Sequence, residues 1–183
     1  AAHKLHCPVK LRLDRDDDFL ITGKRHPFTF DYTAGFDATG RLTALQLMMA
    51  ANCGFSADLS GPVADRAIFH TDNAYYLQHV DIASYRCKTN TQSHTAFRGF
   101  GGPQGVILIE AIMGSIAHHL KMDPLDVRLR NLYSDEAIPG TTDRRDTTHY
   151  QMKVEDNILA PLLGTLEATS NYRQRRADIA AWN

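Results

Sequence analysis

The chain has 183 residues, of which 20 are Lys or Arg and 21 are Asp or Glu, and its net charge is −1. A chain with this balanced charge lacks the excess of positive charge that draws basic proteins to nucleic acids and anionic membranes. No apolar run approaches the ~20 residues that would span a bilayer. The three cysteines, Cys7, Cys53 and Cys87, follow no metal-binding spacing. They indicate free thiols in a reducing compartment, which predicts a cytoplasmic protein.

The first third of the chain predicts strands. Apolar residues alternate with polar ones over residues 9–13 and again, more clearly, over residues 28–36. The turn sequence at 37–40 and a second strand from Leu42 to about Ala51 complete a hairpin. The run of acidic residues between 14 and 18 predicts a solvated turn.

The remainder predicts mostly helices. Ser60 can cap a helix over residues 60–70, and alternation over 80–88 predicts a further strand. Apolar residues then recur at helical spacing from Val106 to Leu120, and Asp123-Pro124 begins another helix. Residues 134–153 predict a loop, and two helices follow over 158–166 and 172–182, with Trp182 expected to pack back on the domain. The predicted fold is α+β, with a mixed or antiparallel sheet and helices on one face. The whole of 1–183 forms one domain in this interpretation.

The loop between the last long strand and the central helix holds the sequence TAFRGFGGPQG at residues 95–105. Its glycines allow left-handed backbone and close approach of a ligand, and the helix start is expected to present unpaired N–H groups to an anion. Gln104 stands where the last glycine of a dinucleotide fingerprint would be, and no Lys-Ser/Thr pair follows as in a P-loop. From the residues alone, an anion-binding loop and a tight packing turn are equally favoured.

The same eleven residues resemble the molybdenum-cofactor subunit of the xanthine dehydrogenase/aldehyde oxidase family. Three further stretches are similar to that family in the same order, at residues 19–28, 66–73 and 87–90, and the resemblance extends at least to residue 133. It implies a molybdenum hydroxylase that binds molybdopterin and oxidises hypoxanthine or xanthine to urate. The family passes the electrons to NAD through 2Fe-2S clusters and FAD on other parts of the complex. The chain is therefore expected to be an internal fragment, lying in the molybdopterin-binding region.

The resemblance also assigns residues. Arg66 is similar to the arginine that binds the purine and stabilises its negative charge, which makes it both a substrate-binding and a catalytic residue. Phe100 is similar to the phenylalanine that packs on the substrate ring. Arg98 is expected to contact the cofactor, with Phe97, Gly99, Gly101 and Gly102 beside it. No side chain is expected to ligate the metal directly.

Two departures from the family pattern limit what the chain does alone. The family's general-base glutamate and its purine-binding glutamate lie outside the stretch seen here, so the isolated fragment is expected to be inactive. Its partners would be a purine and an FAD/iron–sulfur subunit or domain in a hetero-oligomer, with self-association expected of the fragment. The alternatives are an aldehyde or N-heterocycle oxidoreductase of the same family, or a non-catalytic anion-binding or assembly module.

Overall fold

A three-stranded mixed sheet organises the chain in a computed structural model that describes residues 1–138 and 140–183. The strands are β1 (Phe28–Phe36), β2 (Leu42–Gly54) and β3 (Val80–Lys88), in the order β1-β2-β3. β1 and β2 form the expected antiparallel hairpin, with Phe28 opposite Ala51. β3 pairs in parallel with β2, with Leu45 opposite Val80, because the helix α3 (Ser60–Phe69) carries the chain back across the sheet.

The core lies between one face of this sheet and the helix α4 (Gly102–Leu120). Alternate residues of β2 are buried on that face, and helically spaced residues of α4 meet them. The main contributors are Leu45, Leu47 and Met49 from the strand and Ile109, Ile112, Met113 and Ile116 from the helix. The prediction of an α+β fold with helices on one face is confirmed.

Shorter elements surround this centre. Helices α1 (Ala2–Leu5) and α2 (Arg15–Ile21) precede the sheet, and α5 (Pro124–Asn131) follows α4. The small hairpin β4 (Ser134–Ala137) and β5 (Arg144–Arg145) comes next, and the chain continues into α6 (Leu159–Thr169) and α7 (Tyr172–Trp182). No helix in the described ranges is both long and apolar enough to cross a bilayer.

Four local predictions are wrong. Residues 9–13 are not a strand, since no described strand lies beside them and Leu11 is 86% exposed. The acidic run is the first turn of α2, because the Asp14 carboxylate accepts the Asp17 N–H at 2.8 Å and caps the helix. The predicted loop at 134–153 contains β4 and β5. Trp182 does not pack on the domain and is 89% exposed.

Candidate active-site loop and its neighbours

The glycine-rich loop joins β3 to α4 and turns through three consecutive left-handed residues. The φ angles are +92° at Gly99, +51° at Phe100 and +99° at Gly101. A phenylalanine rarely adopts this conformation, because its Cβ then crowds the backbone. Such an outlier is typical of functional sites, where the surrounding structure enforces it.

Two glycines of this region hold the loop against α3. A Cβ at Gly101 would lie 2.0 Å from the Val63 carbonyl oxygen, and one at Gly105 would lie 2.4 Å from the Ala67 carbonyl oxygen. Only glycine permits backbones to come this close. Gly101 therefore has a packing role that fixes the loop to the helix that carries Arg66, and its contact with the cofactor stays a prediction.

The expectation that the helix start presents free N–H groups is wrong. The N–H groups of Gly102, Gln104 and Gly105 donate to carbonyls inside the loop, at 2.9, 3.1 and 3.3 Å, and that of Phe100 donates to the Phe97 carbonyl at 2.8 Å. The unpaired donors lie in the loop before the first residue of α4. Within the described chain, no acceptor is found for the N–H groups of residues 96–99 and 101.

Arg98 and Phe97 lie on the exposed side of the loop. Within the described ranges the Arg98 guanidinium has no hydrogen-bond or ion-pair partner, and its carbonyl accepts a hydrogen bond of 2.6 Å from Arg25 Nη2. The Arg25 guanidinium carbon also lies 4.5 Å from the centre of the Phe97 ring, a cation–π contact. Two guanidinium groups thus flank one loop, and this surface favours an anion.

Arg66 and Phe100 line one shallow hollow, which has a volume of about 410 Å³. Its other lining residues are Pro62, Asp65, Phe69 and His70. Asp65 forms an ion pair with Arg86, so it does not neutralise Arg66. Arg66 is exposed, and its Nε donates to His70 Nε2 at 3.2 Å. The structure therefore brings the two predicted substrate-binding residues together, whereas Arg98 and Phe97 do not line this hollow.

A buried polar cluster supports the C-terminal end of α3. The Tyr133 hydroxyl donates to Asp72 Oδ2 at 2.6 Å, and His149 Nε2 lies 3.0 Å from the Ile68 carbonyl oxygen. Burial raises the pKa of the Asp72 carboxyl, although the bond from Tyr133 opposes this shift. The ring of Tyr150 also meets that of Phe69 edge to face, with centroids 4.9 Å apart. The segment that contains His149 and Tyr150 therefore packs against the C-terminal end of α3.

A second cluster supports the N-terminal end of α3. The buried Ser60 hydroxyl lies 2.7 Å from His26 Nε2, and Gln104 Nε2 donates to the His26 carbonyl at 3.2 Å. Burial lowers the pKa of His26, and the nearby His94 lowers it further. His26, two residues before β1, therefore connects the start of α3 with the start of α4.

Sequence reasoning missed Arg25 and His70 as members of this region. Both lie inside stretches that carry the family resemblance, at 19–28 and 66–73, which is the only signal that could have drawn attention to them. Their contacts with Phe97 and Arg66 depend on packing between separate elements or on side-chain geometry, which one-dimensional patterns do not show.

A profile of the molybdopterin cofactor-binding domain matches residues 1–132. The chain belongs to this family. It is 42% identical over all 183 residues to xanthine dehydrogenase from Drosophila subobscura and to xanthine dehydrogenase/oxidase from Gallus gallus. In each case it spans 13% of the relative's length.

Solved structures show the same fold for this molybdopterin-binding domain. Aldehyde oxidoreductase from Desulfovibrio desulfuricans superposes with a TM-score of 0.70, at 23% identity, over 84% of this chain and 16% of that one. Reconstituted carbon monoxide dehydrogenase from Oligotropha carboxidovorans gives a TM-score of 0.76, at 20% identity, over 91% and 20%. In the described part of the domain, no group of three or more His, Cys, Asp or Glu side chains is placed to hold a metal ion.

Proposed function

We propose that this chain is part of a xanthine dehydrogenase, a molybdenum hydroxylase that oxidises hypoxanthine and xanthine to urate in purine metabolism. The electrons pass through 2Fe-2S clusters and FAD, on other parts of a cytoplasmic hetero-oligomer, to NAD. Residues 1–183 form one domain of its molybdopterin-binding subunit. The 42% identity to xanthine dehydrogenases supports this proposal, and the observation that carries it is the shared hollow of Arg66 and Phe100.

Phe100 and Arg66 supply two different kinds of contact with a purine. The phenyl ring packs against the planar heterocycle, which is worth about 0.5–1.5 kcal/mol beyond the apolar area buried. The guanidinium donates hydrogen bonds to the purine's heteroatoms and stabilises negative charge that develops on the ring. No carboxylate in the described part of the chain neutralises this cation, so its charge is available to the substrate.

The residues around Arg98 fit the cofactor. Molybdopterin carries phosphate and many hydrogen-bond acceptors, and the loop offers the Arg98 guanidinium together with the unpaired N–H groups of Phe97 and Gly99. Gly101 contributes by packing, since it holds this surface against α3, and Gly102 follows it as the first residue of α4. When bound, the cofactor supplies the oxygen that enters the substrate and takes up the hydride that leaves it.

The general base must come from elsewhere in the subunit. Asp65 is the one carboxylate that lines the hollow, within the described residues, and one of its oxygens is occupied by the ion pair with Arg86. A general base must lie within hydrogen-bond reach of the proton that it takes up, and this carboxylate faces Arg86 instead. The domain therefore recognises the substrate but does not complete the catalytic site.

The experiment is an Arg66→Met substitution in the full-length enzyme, assayed with xanthine and with a simple aldehyde. Only the purine develops ring charge that Arg66 can stabilise, so kcat/KM should fall about a hundredfold for xanthine, equivalent to ~3 kcal/mol, and much less for the aldehyde. Arg175→Met is the matched control, because it makes the same chemical change at an exposed position on α7. Equal losses on both substrates would assign Arg66 a structural role and contradict the purine proposal.

A further inference from the structure

We propose that His70 is a positioning residue that sets the orientation of Arg66 and thereby the preference for purines, an inference that rests on the proposed function. His70 follows the last turn of α3, one turn after Arg66. Its Nε2 lies 3.2 Å from Arg66 Nε, and both residues line the hollow beneath Phe100.

The direction of this hydrogen bond fixes the state of the imidazole. A guanidinium has five N–H donors and no acceptor, so Arg66 Nε must donate and His70 Nε2 must accept. His70 is therefore neutral in this arrangement, with its proton on Nδ1. The bond uses the Nε–H alone, which leaves the four N–H groups of the terminal nitrogens for a ligand.

The imidazole ring lies next to the first residue of α4. A Cβ at Gly102 would lie 3.5 Å from His70 Cδ2 and 3.7 Å from Cγ, which is ordinary van der Waals contact. The ring thus lies between the last turn of α3 and the first residue of α4. The backbone N–H of His70 also bonds to the Arg66 carbonyl at 3.0 Å, so the two residues are joined through main chain and side chain.

Without His70, Arg66 would lose its only side-chain anchor among the described residues. An exposed arginine samples many rotamers, and ordering it on the substrate costs entropy at each binding event. Asp65, its neighbour in sequence, would also compete with the substrate for the guanidinium whenever the Arg86 pair opens. Anchoring the Nε therefore presents the guanidinium already oriented, which favours the transition state of a substrate that uses it.

The test compares two substitutions of His70 in the full-length enzyme. Both introduce an amide group, and they differ only in the length of the side chain that carries it. In H70Q the amide oxygen can occupy the position of Nε2 and accept the Arg66 N–H, whereas the shorter side chain in H70N reaches only the position of Nδ1. We expect H70N to lower kcat/KM for xanthine about tenfold, which is ~1.4 kcal/mol. A simple aldehyde should be affected less than about twofold, and H70Q should retain most of the xanthine activity.

A double-mutant cycle with R66M separates positioning from general support of the fold. If His70 acts through Arg66, adding H70N to R66M should cause no further loss on xanthine. Additive losses, or equal losses on xanthine and the aldehyde in H70N, would overturn the inference. Should R66M be selective for xanthine while H70N is not, only the role of His70 fails. Should R66M itself affect both substrates equally, the purine proposal fails.

Discussion

The substitution Gly101→Ala should disrupt the contact between the glycine-rich loop and Val63 of α3, where the two backbones come closest. The added methyl group would meet the Val63 carbonyl oxygen at 2.0 Å and the Ala67 nitrogen at 3.0 Å, both of which are backbone atoms that cannot turn away. The φ of +99° at this position adds strain for any residue with a Cβ. The substitution therefore combines a steric clash with an unfavourable backbone conformation.

The expected magnitude follows from these two contributions. Left-handed backbone costs an L-residue about 1–2 kcal/mol, and overpacking a tight contact costs about 1–3 kcal/mol. The free energy of unfolding should therefore fall by about 2–5 kcal/mol. For a chain of this size each kcal/mol shifts Tm by roughly 2–4 °C, so Tm should drop by roughly 4–20 °C.

Two glycines inside α4 are matched controls for the same chemical change. Gly105→Ala keeps helical backbone but meets the Ala67 carbonyl oxygen at 2.4 Å, so it isolates the steric contribution. Gly114→Ala meets nothing within 4 Å and should stabilise the helix by about 0.5–1 kcal/mol. Urea denaturation of the three variants, followed by circular dichroism, should rank Gly114→Ala above the native chain, then Gly105→Ala and finally Gly101→Ala. A Gly101→Ala variant as stable as the native chain would refute the packing role of this glycine.

Three other predictions concern the cofactor, the pH response and the isolated chain. Arg98→Ala in the full-length enzyme should lower the bound molybdenum, because charge-assisted hydrogen bonds are worth about 1.5–3 kcal/mol each, and full metal content with unchanged turnover would rule this out. Burial lowers the pKa of His26 below its usual 6.5. Below that pH the unfolded chain binds more protons than the folded one, so the free energy of unfolding should fall as the solution is acidified. His26→Gln should flatten that fall in urea titrations between pH 7.5 and pH 5, and an unchanged slope would contradict it. The chain 1–183 on its own should fold but bind no stoichiometric molybdenum. With an artificial electron acceptor it should oxidise no xanthine, since a missing general base typically costs about 10²–10⁴ in rate. A chain that carries molybdenum and turns over xanthine would overturn this prediction.

The sequence predicted the central elements well because their periodicity reports burial directly. The alternating residues of β1 and the helically spaced residues of α4 are patterns that only one kind of structure can bury. The bounds of β1, 28–36, agree with the prediction at both ends. Residues 9–13 alternate equally well but lack a described partner strand, and alternation cannot show whether a partner exists.

The site could be predicted only in part for a related reason. The resemblance singled out Arg66 and Phe100, which are 34 positions apart, and the structure places them in one hollow because β3 returns the chain beside α3. Their roles on a ligand stay predictions. The packing function of Gly101 and the anchoring of Arg66 by His70 depend on contacts between side chains and backbones of folded elements. Residue types at fixed spacing do not report such contacts.

Helix α3 carries the residue proposed to select the substrate outside the face that stabilises the fold. Val63, Ala64 and Ala67 form the buried face of the helix, whereas Arg66 lies at its side, is exposed and is not part of the core. A new residue at position 66 would therefore change the lining of the hollow without disturbing the buried face of α3. Under the proposed role of Arg66, evolution or directed selection could change the substrate class through this one position while the fold stays intact.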